Sequence, residues 1–511
     1  MNILYSFKEC VEKYPGRNAF CINGSFYTYS EFAKIISGIR LFIDNNITRT
    51  SGTPAAIGVT SFNDIETYAA FYAIMFSGFT FVPIDPANPV ERNSLMINLA
   101  EISTILTSRH DNNISRMANE FTSVKFVNTK ELYNSALPAN EIGLKLPETK
   151  QENAAYILFT SGSTGIPKAV PISNKNVNSF MDAFFALGYK IDENDRFLQS
   201  SDLLFDLSTM SYMIPLAKGG CVYTVPDEGI KYVNLYIILI EHEITFALMV
   251  PSVLSYLRPF FSEISLEKMR YSLFCGEALY ADILTEWSKC VPNALIQNVY
   301  GPTEATNFCL TYDWSKDISM NKVYSGIVSI GKPMKNMEAV VVDDNNTVLP
   351  ENEKGELCLS GLQLTSGYLK NPDKNKSAFF TTKINGEDKT FYKTGDVAFK
   401  DENGDFMYCG RKDFQIKIHG YRIELGEIEF HTRQFTSPAN AVAIAYLNEL
   451  GITQIHLFIE NFQDQKDKLL EFLKTKIPHY MLPSKITIVN SFPLNANGKV
   501  DRKALLETVI G

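Results

Sequence analysis

The stretch Leu158-Phe-Thr-Ser-Gly-Ser-Thr-Gly-Ile-Pro-Lys168 decides how this chain is read. Thr160, Ser161, Gly162, Ser163, Thr164 and Gly165 are all hydroxyl residues or glycine, and Pro167 and Lys168 close the run. Just before it, Tyr156-Ile-Leu-Phe159 is apolar and aromatic and reads as a buried strand. A strand that feeds such a loop offers closely spaced backbone N–H groups, hydroxyls and one ammonium. An anion gains from donors that converge with no bulky side chain between them, so the loop suits a polyphosphate. It is not a Walker A loop, which needs Gly-Lys-Ser/Thr in immediate succession.

On both sides of this loop, helical patterns alternate with short strands. Tyr68 to Phe76 precedes Thr80-Phe-Val-Pro-Ile84, Phe180 to Leu187 precedes Gly219 to Val225, and Leu235 to Glu243 precedes Ile244 to Val250. The alternation predicts an α/β fold with largely parallel sheets. After about residue 310, runs such as Ala339-Val-Val-Val-Asp343 and Gly355-Glu-Leu-Cys-Leu-Ser360 are joined by Gly/Asn/Asp turns. They predict shorter strands in a β-rich subdomain. Past Gly410, Ile455 to Ile459, Leu469 to Thr475 and Ile486 to Val489 suit a small α+β domain.

Composition bounds the function classes. At 511 residues the chain exceeds a single core, so two or more domains are expected. A hydrophobic content of 45% with 21% charged residues is that of a globular protein and excludes disorder. The net charge of -9 argues against a general nucleic-acid surface, so any phosphate site is locally basic within an acidic whole. The eight cysteines are scattered with no Cys-x-x-Cys pair, which suggests neither a zinc site nor a disulfide framework. Met1 to Glu9 lacks the pattern of a signal peptide, and the apolar stretch Tyr232 to Val250 is interrupted by Glu241, His242 and Glu243. No membrane insertion and a cytoplasmic location are therefore expected.

Further motifs join the loop at 160–168. They are Asn298-Val-Tyr-Gly-Pro-Thr-Glu304, Tyr392-Lys-Thr-Gly-Asp396, Gly410-Arg-Lys-Asp413, Gly420-Tyr-Arg-Ile-Glu424 and Asn497-Gly-Lys499. In order and rough spacing the set resembles the adenylate-forming superfamily of acyl-CoA synthetases, luciferases and nonribosomal peptide synthetase adenylation domains. Gly355 to Gly361 and Gly367-Tyr-Leu-Lys-Asn-Pro372 resemble stretches of its amino-acid-activating branch. The resemblance covers essentially the whole chain. It implies a large N-terminal domain over 1–409, a hinge at 410–413 with Asp413 as its pivot, and a small mobile domain over 414–511.

The resemblance also implies chemistry. A substrate carboxylate attacks the α-phosphate of ATP and pyrophosphate leaves, so catalysis is largely charge neutralisation and positioning. Lys499 is the implied bridge between carboxylate and α-phosphate, Thr303 a phosphate contact and Glu304 the Mg²⁺ carboxylate. Thr160 to Gly165 and Lys168 would hold phosphates. Asp396 would bind the ribose diol with help from Arg411, Tyr300 would lie on the adenine face, Asn298 would read its amino edge, and Gly276 would leave room on the other face. Lys499 must then leave so that a thiol can enter, and Gln415 to Gly420 is the edge expected to replace it.

Substrate class rests on Phe205-Asp-Leu-Ser-Thr-Met210. Asp206 matches the aspartate that pairs with the α-ammonium in amino-acid-activating members. The plain alternative is a helix N-cap ahead of Leu207 to Met213. Leu207, Met210, Leu273, Cys275, Val299 and Asn307 would line a mostly apolar pocket. These stretches, with Phe274-Cys-Gly-Glu277 and Lys417 to Arg422, resemble the D-alanine:carrier-protein ligases. Asn307, Phe308, Ala169 and Ser366 depart from that pattern. The expected activity is therefore amino-acid adenylation and transfer to a phosphopantetheine thiol on a separate carrier protein, with D-alanine the leading candidate. A different amino acid in a nonribosomal peptide pathway, and acyl-CoA synthesis, stay open. The twelve residues after Lys499 are too few for a fused carrier domain, which suggests a free-standing enzyme.

Overall fold

Two parallel-rich sheets enclose a pair of helices that are buried on every side. The structure is a computed structural model and describes residues 2–48, 56–133, 144–148, 150–162, 165–384, 386–436, 439–448, 450–463, 465–494 and 500–510. The first sheet has six strands in the order Lys125–Asn128, Thr104–Thr107, Ala56–Thr60, Thr80–Ile84, Ala154–Thr160, Lys168–Ser173. Every neighbouring pair is parallel except the last. The second sheet has nine strands, and the pairings that link Leu295–Tyr300, Tyr271–Phe274, Phe246–Met249, Arg196–Gln199, Cys221–Thr224 and Asn18–Ile22 are all parallel. Ala56–Thr60, Thr80–Ile84 and Thr104–Thr107 are buried at every residue. Parallel strands covered on both faces carry mostly apolar runs rather than alternation, and of these three the sequence reading picks out Thr80–Ile84.

The helix Ile65–Phe76 packs on the first sheet and Asp206–Leu216 on the second, and every residue of both is buried. They meet through rings, with Tyr68 and Tyr212 at 5.4 Å and Phe71 and Tyr212 at 6.1 Å. A helix apolar all round has no solvent face and belongs in such an interlayer. Its ends still need partners, and the Asp64 side chain accepts from the Thr67 amide to cap the first of the two.

The β-rich region corrects the expectation of only shorter strands. Glu387–Lys400 runs for 14 residues and pairs with Gly355–Gly361, Phe379–Ile384 and Phe406–Arg411. Gly395 and Asp396, the end of the Tyr392 to Asp396 motif, sit inside this strand, where the register against Phe406–Arg411 shifts between Val397 and Ala398. A bulge of this kind bends a strand without ending it.

Beyond Arg411 a bend at Lys412 to Phe414 leads into the hairpin Gln415–Ile418 and Tyr421–Glu424. Its turn residues His419 and Gly420 have φ of 52° and 83°, the handedness that closes a two-residue hairpin. The helix Leu425–Thr436 and the sheet Ala441–Leu447, Thr453–Glu460, Lys485–Val489 follow, around a core of their own that includes Ile423, Ile428, Leu457, Leu469 and Met481. Among the described residues, no helix is long and apolar enough to cross a membrane.

Candidate active site

Ala154–Thr160 and Lys168–Ser173 are antiparallel, with Thr160 opposite Lys168, so the glycine- and hydroxyl-rich loop closes a hairpin between them. Gly162 is obligatory, because a Cβ there would lie 2.0 Å from the Ile166 carbonyl oxygen. The donors of this loop meet the segment that follows the 415–424 hairpin turn. Ser161 Oγ donates to the Arg422 carbonyl at 2.7 Å, the Gly162 amide to Glu427 Oε2 at 3.3 Å, and Lys168 Nζ to Glu424 Oε1 at 3.2 Å. Burial pulls the Lys168 ammonium below its usual range, with the Arg422 charge adding to the effect. Thr160 Oγ1 is buried and has no partner among the described residues. Ser163 and Thr164 lie outside the described residues.

Glu304 stands on the short turn Thr303–Ala305 with no exposed surface. Arg422 Nη1 donates to both of its oxygens, at 3.0 and 2.9 Å, and the Tyr368 hydroxyl donates at 2.6 Å. Burial alone would raise its pKa, but the Arg422 charge, the Tyr368 bond and Lys168 outweigh it and hold the carboxyl at about 2. Glu427 is held in turn by a buried ion pair with Arg92 at 2.7 Å. No group of three or more His, Cys, Asp or Glu side chains among the described residues is arranged to hold a metal. Glu304 as a lone hard oxygen donor still fits Mg²⁺, which takes one or two carboxylates and completes its shell from phosphates and water.

A cavity of about 330 Å³ opens between the end of Leu295–Tyr300 and the segment leading into the hairpin, and Gly276, Asn298, Tyr300, Asp396 and Arg411 line it. Asp396 is 5% exposed; its Oδ1 accepts from Arg411 Nη1 at 2.6 Å and its Oδ2 from the Tyr300 hydroxyl. Arg411 also forks onto Asp413, at 2.7 and 2.8 Å. One guanidinium thus ties the expected ribose carboxylate to the expected pivot. Asn298 Nδ2 donates to the carbonyls of Val328 and Ser329, so its amide oxygen is the end left for a donor such as an exocyclic amine. Gly276 has φ of 95°, a conformation that favours glycine.

Asp206 begins the helix Asp206–Leu216, and Phe205 occupies the cap position without a side-chain bond, so the N-cap reading of Asp206 does not hold. Its carboxyl is buried, and that burial pushes its pKa up to about 6, with the Thr303 hydroxyl and the Lys417 charge pulling the other way. No salt bridge reaches it among the described residues. Leu207, Met210, Leu273, Cys275, Val299 and Asn307 are all buried. The cavity beside Asp206 measures about 50 Å³, and Leu207, Cys275, Gly276, Thr303 and Lys417 are among its walls. Burial pushes the Cys275 thiol up to about 12, which keeps it a neutral wall.

The family model of the AMP-binding enzymes matches residues 7–369. The chain belongs to the AMP-binding enzyme family. It is 32% identical over 450 residues to the D-alanine--D-alanyl carrier protein ligase of Bacillus licheniformis, spanning 86% of each chain. To the protein of that name from Lactiplantibacillus plantarum it is 28% identical over 522 residues, 99% of each chain. Among solved structures it is similar to the Vibrio cholerae adenylation domain AlmE in complex with glycyl-adenosine-5'-phosphate. That likeness has a TM-score of 0.86 at 25% identity, over 99% of this chain and 97% of the other.

In this AMP-binding enzyme the residues singled out from sequence that fall in the described part converge on the loop, the large cavity and the buried Asp206. Asp413 is half exposed and reaches the cavity through Arg411. Lys499 lies outside the described residues. Sequence reasoning assigned no role to Arg422, Glu424 or Glu427, although the first two stand in the quoted Gly420 to Glu424 motif. It also missed Tyr368, Arg92 and Glu277, whose Oε1 accepts from the Gly420 amide at 3.0 Å and fastens the hairpin turn to the site. A motif reports that a residue type recurs; it does not report which distant group that residue meets.

Proposed function

We propose that this AMP-binding enzyme activates a small amino acid, of the size class that includes alanine, with ATP and passes the aminoacyl group to the phosphopantetheine thiol of a carrier protein in trans. The observation that carries the reading is Asp206. A buried carboxylate without an ion-pair partner is costly unless a cation arrives with the ligand, and an α-ammonium is such a cation. A simple acyl substrate brings none, which disfavours acyl-CoA synthesis. The small cavity and the relatives named as D-alanine ligases support a short side chain.

In this mechanism Asp206 fixes the ammonium and aims the substrate carboxylate at the α-phosphorus. The loop amides, its hydroxyls and Lys168 hold the phosphates, and Asp396 with Arg411 holds the ribose. Glu304 would hold Mg²⁺, which when bound supplies positive charge against the phosphates. Lys499 neutralises the approach of two anions as the new O–P bond forms and the bond to pyrophosphate breaks. The hairpin Gln415–Glu424 then faces the adenylate, the thiol sulfur attacks the acyl carbon, the C–O bond to AMP breaks, and the thiol proton passes to solvent. ATP–pyrophosphate exchange across D- and L-amino acids and their des-amino analogues tests the reading. Exchange with amino acids and not with the analogues is expected; equal exchange with propionate would refute it.

A further inference from the structure

Asn307 is 1% exposed, and its φ of 75° turns its side chain inward beside the first turn of the helix Asp206–Leu216. Its Nδ2 donates to the Asp206 carbonyl at 2.7 Å, which fixes which end of the amide is which. Its Oδ1 is buried and has no hydrogen-bond partner among the described residues. Asn307 lines a small cavity of about 10 Å³ together with Met210, Thr209, Thr306 and Tyr156. That is room for one group the size of a water oxygen.

The other polar atoms around this cavity are already committed. Thr209 Oγ1 donates to the Asp206 carbonyl at 2.7 Å, Thr306 Oγ1 donates to the Gln363 carbonyl at 2.6 Å, and the Tyr156 hydroxyl faces Thr209. The cavity therefore presents an acceptor that needs a donor. Met210 follows Asp206 by four residues on one helix face, so the cavity lies about one turn along the helix from the carboxylate that holds the ammonium.

We propose that Asn307 Oδ1 is the specificity-determining acceptor of the site, and that the preferred substrate is a small amino acid with a hydroxyl on its β-carbon, of serine size, rather than alanine or glycine. The proposal rests on the amino-acid-activating reading above and names its substrate class. A β-ammonium would also donate, but it would bury a second cation against a neutral amide oxygen, which is the costlier arrangement. A methyl group in the same place leaves Oδ1 unsatisfied, and a site built to bond a hydroxyl rejects the analogue without one.

The test is pyrophosphate exchange by the unmutated protein with glycine and both enantiomers of alanine, serine and 2-aminobutyrate, the last being the methyl isostere of serine. One enantiomer of serine should exceed its 2-aminobutyrate and alanine counterparts in kcat/KM by about tenfold or more. Asn307→Gly accepts the positive φ without strain and should bring the serine to 2-aminobutyrate ratio close to one, with a melting curve reporting that the variant is folded. Alanine or glycine equal to serine in the unmutated protein overturns the proposal and leaves amino-acid activation standing. An unchanged ratio in a folded Asn307→Gly variant also overturns it. Exchange with propionate but with no amino acid overturns the underlying reading instead.

Discussion

Arg422 Nη1 lies 3.0 and 2.9 Å from the two oxygens of Glu304, so the carboxylate proposed to hold Mg²⁺ is held by a guanidinium. Around this pair the same segment lays Glu427 on the Gly162 amide and Glu424 on Lys168. Cation faces carboxylate and carboxylates face the phosphate loop, which is the charge pattern of a metal and a polyphosphate at one place. Under the proposed mechanism, docking of the hairpin and binding of magnesium and ATP would therefore compete.

From that competition, Glu424→Gln with Glu427→Gln should lower the apparent KM for magnesium–ATP severalfold, because a larger fraction of the protein then leaves the loop open. Arg422→Ala should slow aminoacyl transfer to a thiol far more than pyrophosphate exchange, since removing one partner of a buried ion pair costs about 3–5 kcal/mol in the state that contains it. Single-turnover assays of each half-reaction separate the two, and equal losses in both would contradict the assignment.

Asp206 sets a pH dependence. With its pKa raised to about 6, the proton is bound below that pH, so the anion that pairs with an ammonium is lost as pH falls. The kcat/KM for the amino acid should drop about tenfold per unit below pH 6, while ATP affinity stays level. Stability runs the other way: the folded state binds the proton more tightly than the unfolded chain, so stability declines as pH rises from about 4 to about 6. Asp206→Asn should accordingly raise the melting temperature at neutral pH, by up to about 3 kcal/mol in stability, while removing activity. A variant that melts lower at pH 7.5 than at pH 4 relative to the unmutated protein would count against it.

Asp396 accepts from both Tyr300 and Arg411 and is proposed to bind the ribose hydroxyls. Replacing ATP with 2′-deoxy-ATP should cost about tenfold or more in kcat/KM, the worth of one hydrogen bond to a charged group. In Asp396→Ala the same replacement should cost little further. Full additivity of the two losses would show that the carboxylate and that hydroxyl do not interact.

Lys499→Ala should abolish adenylate formation, a barrier increase of about 3 kcal/mol or more, while thiol capture of a supplied aminoacyl-adenylate survives. Near-normal pyrophosphate exchange in this variant would remove Lys499 from the mechanism.

The fold was legible where local pattern carries it. Thr80–Ile84 is mostly apolar because both its faces are covered, and the helical pattern Tyr68 to Phe76 before it marks the crossover that leads into it. Glu387–Lys400 was not legible at its full length, because its extent is set by the three strands paired along it rather than by its own residues. In the sequence the next helix reads as Leu207 to Met213 with Asp206 as its cap, whereas it starts at Asp206 with Phe205 at the cap position.

By itself the sequence determined the alternating architecture, the phosphate-type loop at 160–168 and the family motifs, because these rest on neighbours in the chain: periodicity, turn residues and fixed spacings. Tertiary structure alone decided what those residues meet. Arg92 reaches Glu427, Arg422 reaches Glu304, and Asn307 is turned beside Asp206 with its oxygen unpaired among the described residues. Such pairings join positions a hundred or more residues apart. Their cost and benefit come from burial, where an unpaired polar group is expensive and a partner decides its charge. No local pattern encodes burial between distant segments, so the carboxylate without its cation and the amide oxygen without its donor became visible only once the chain had folded around them.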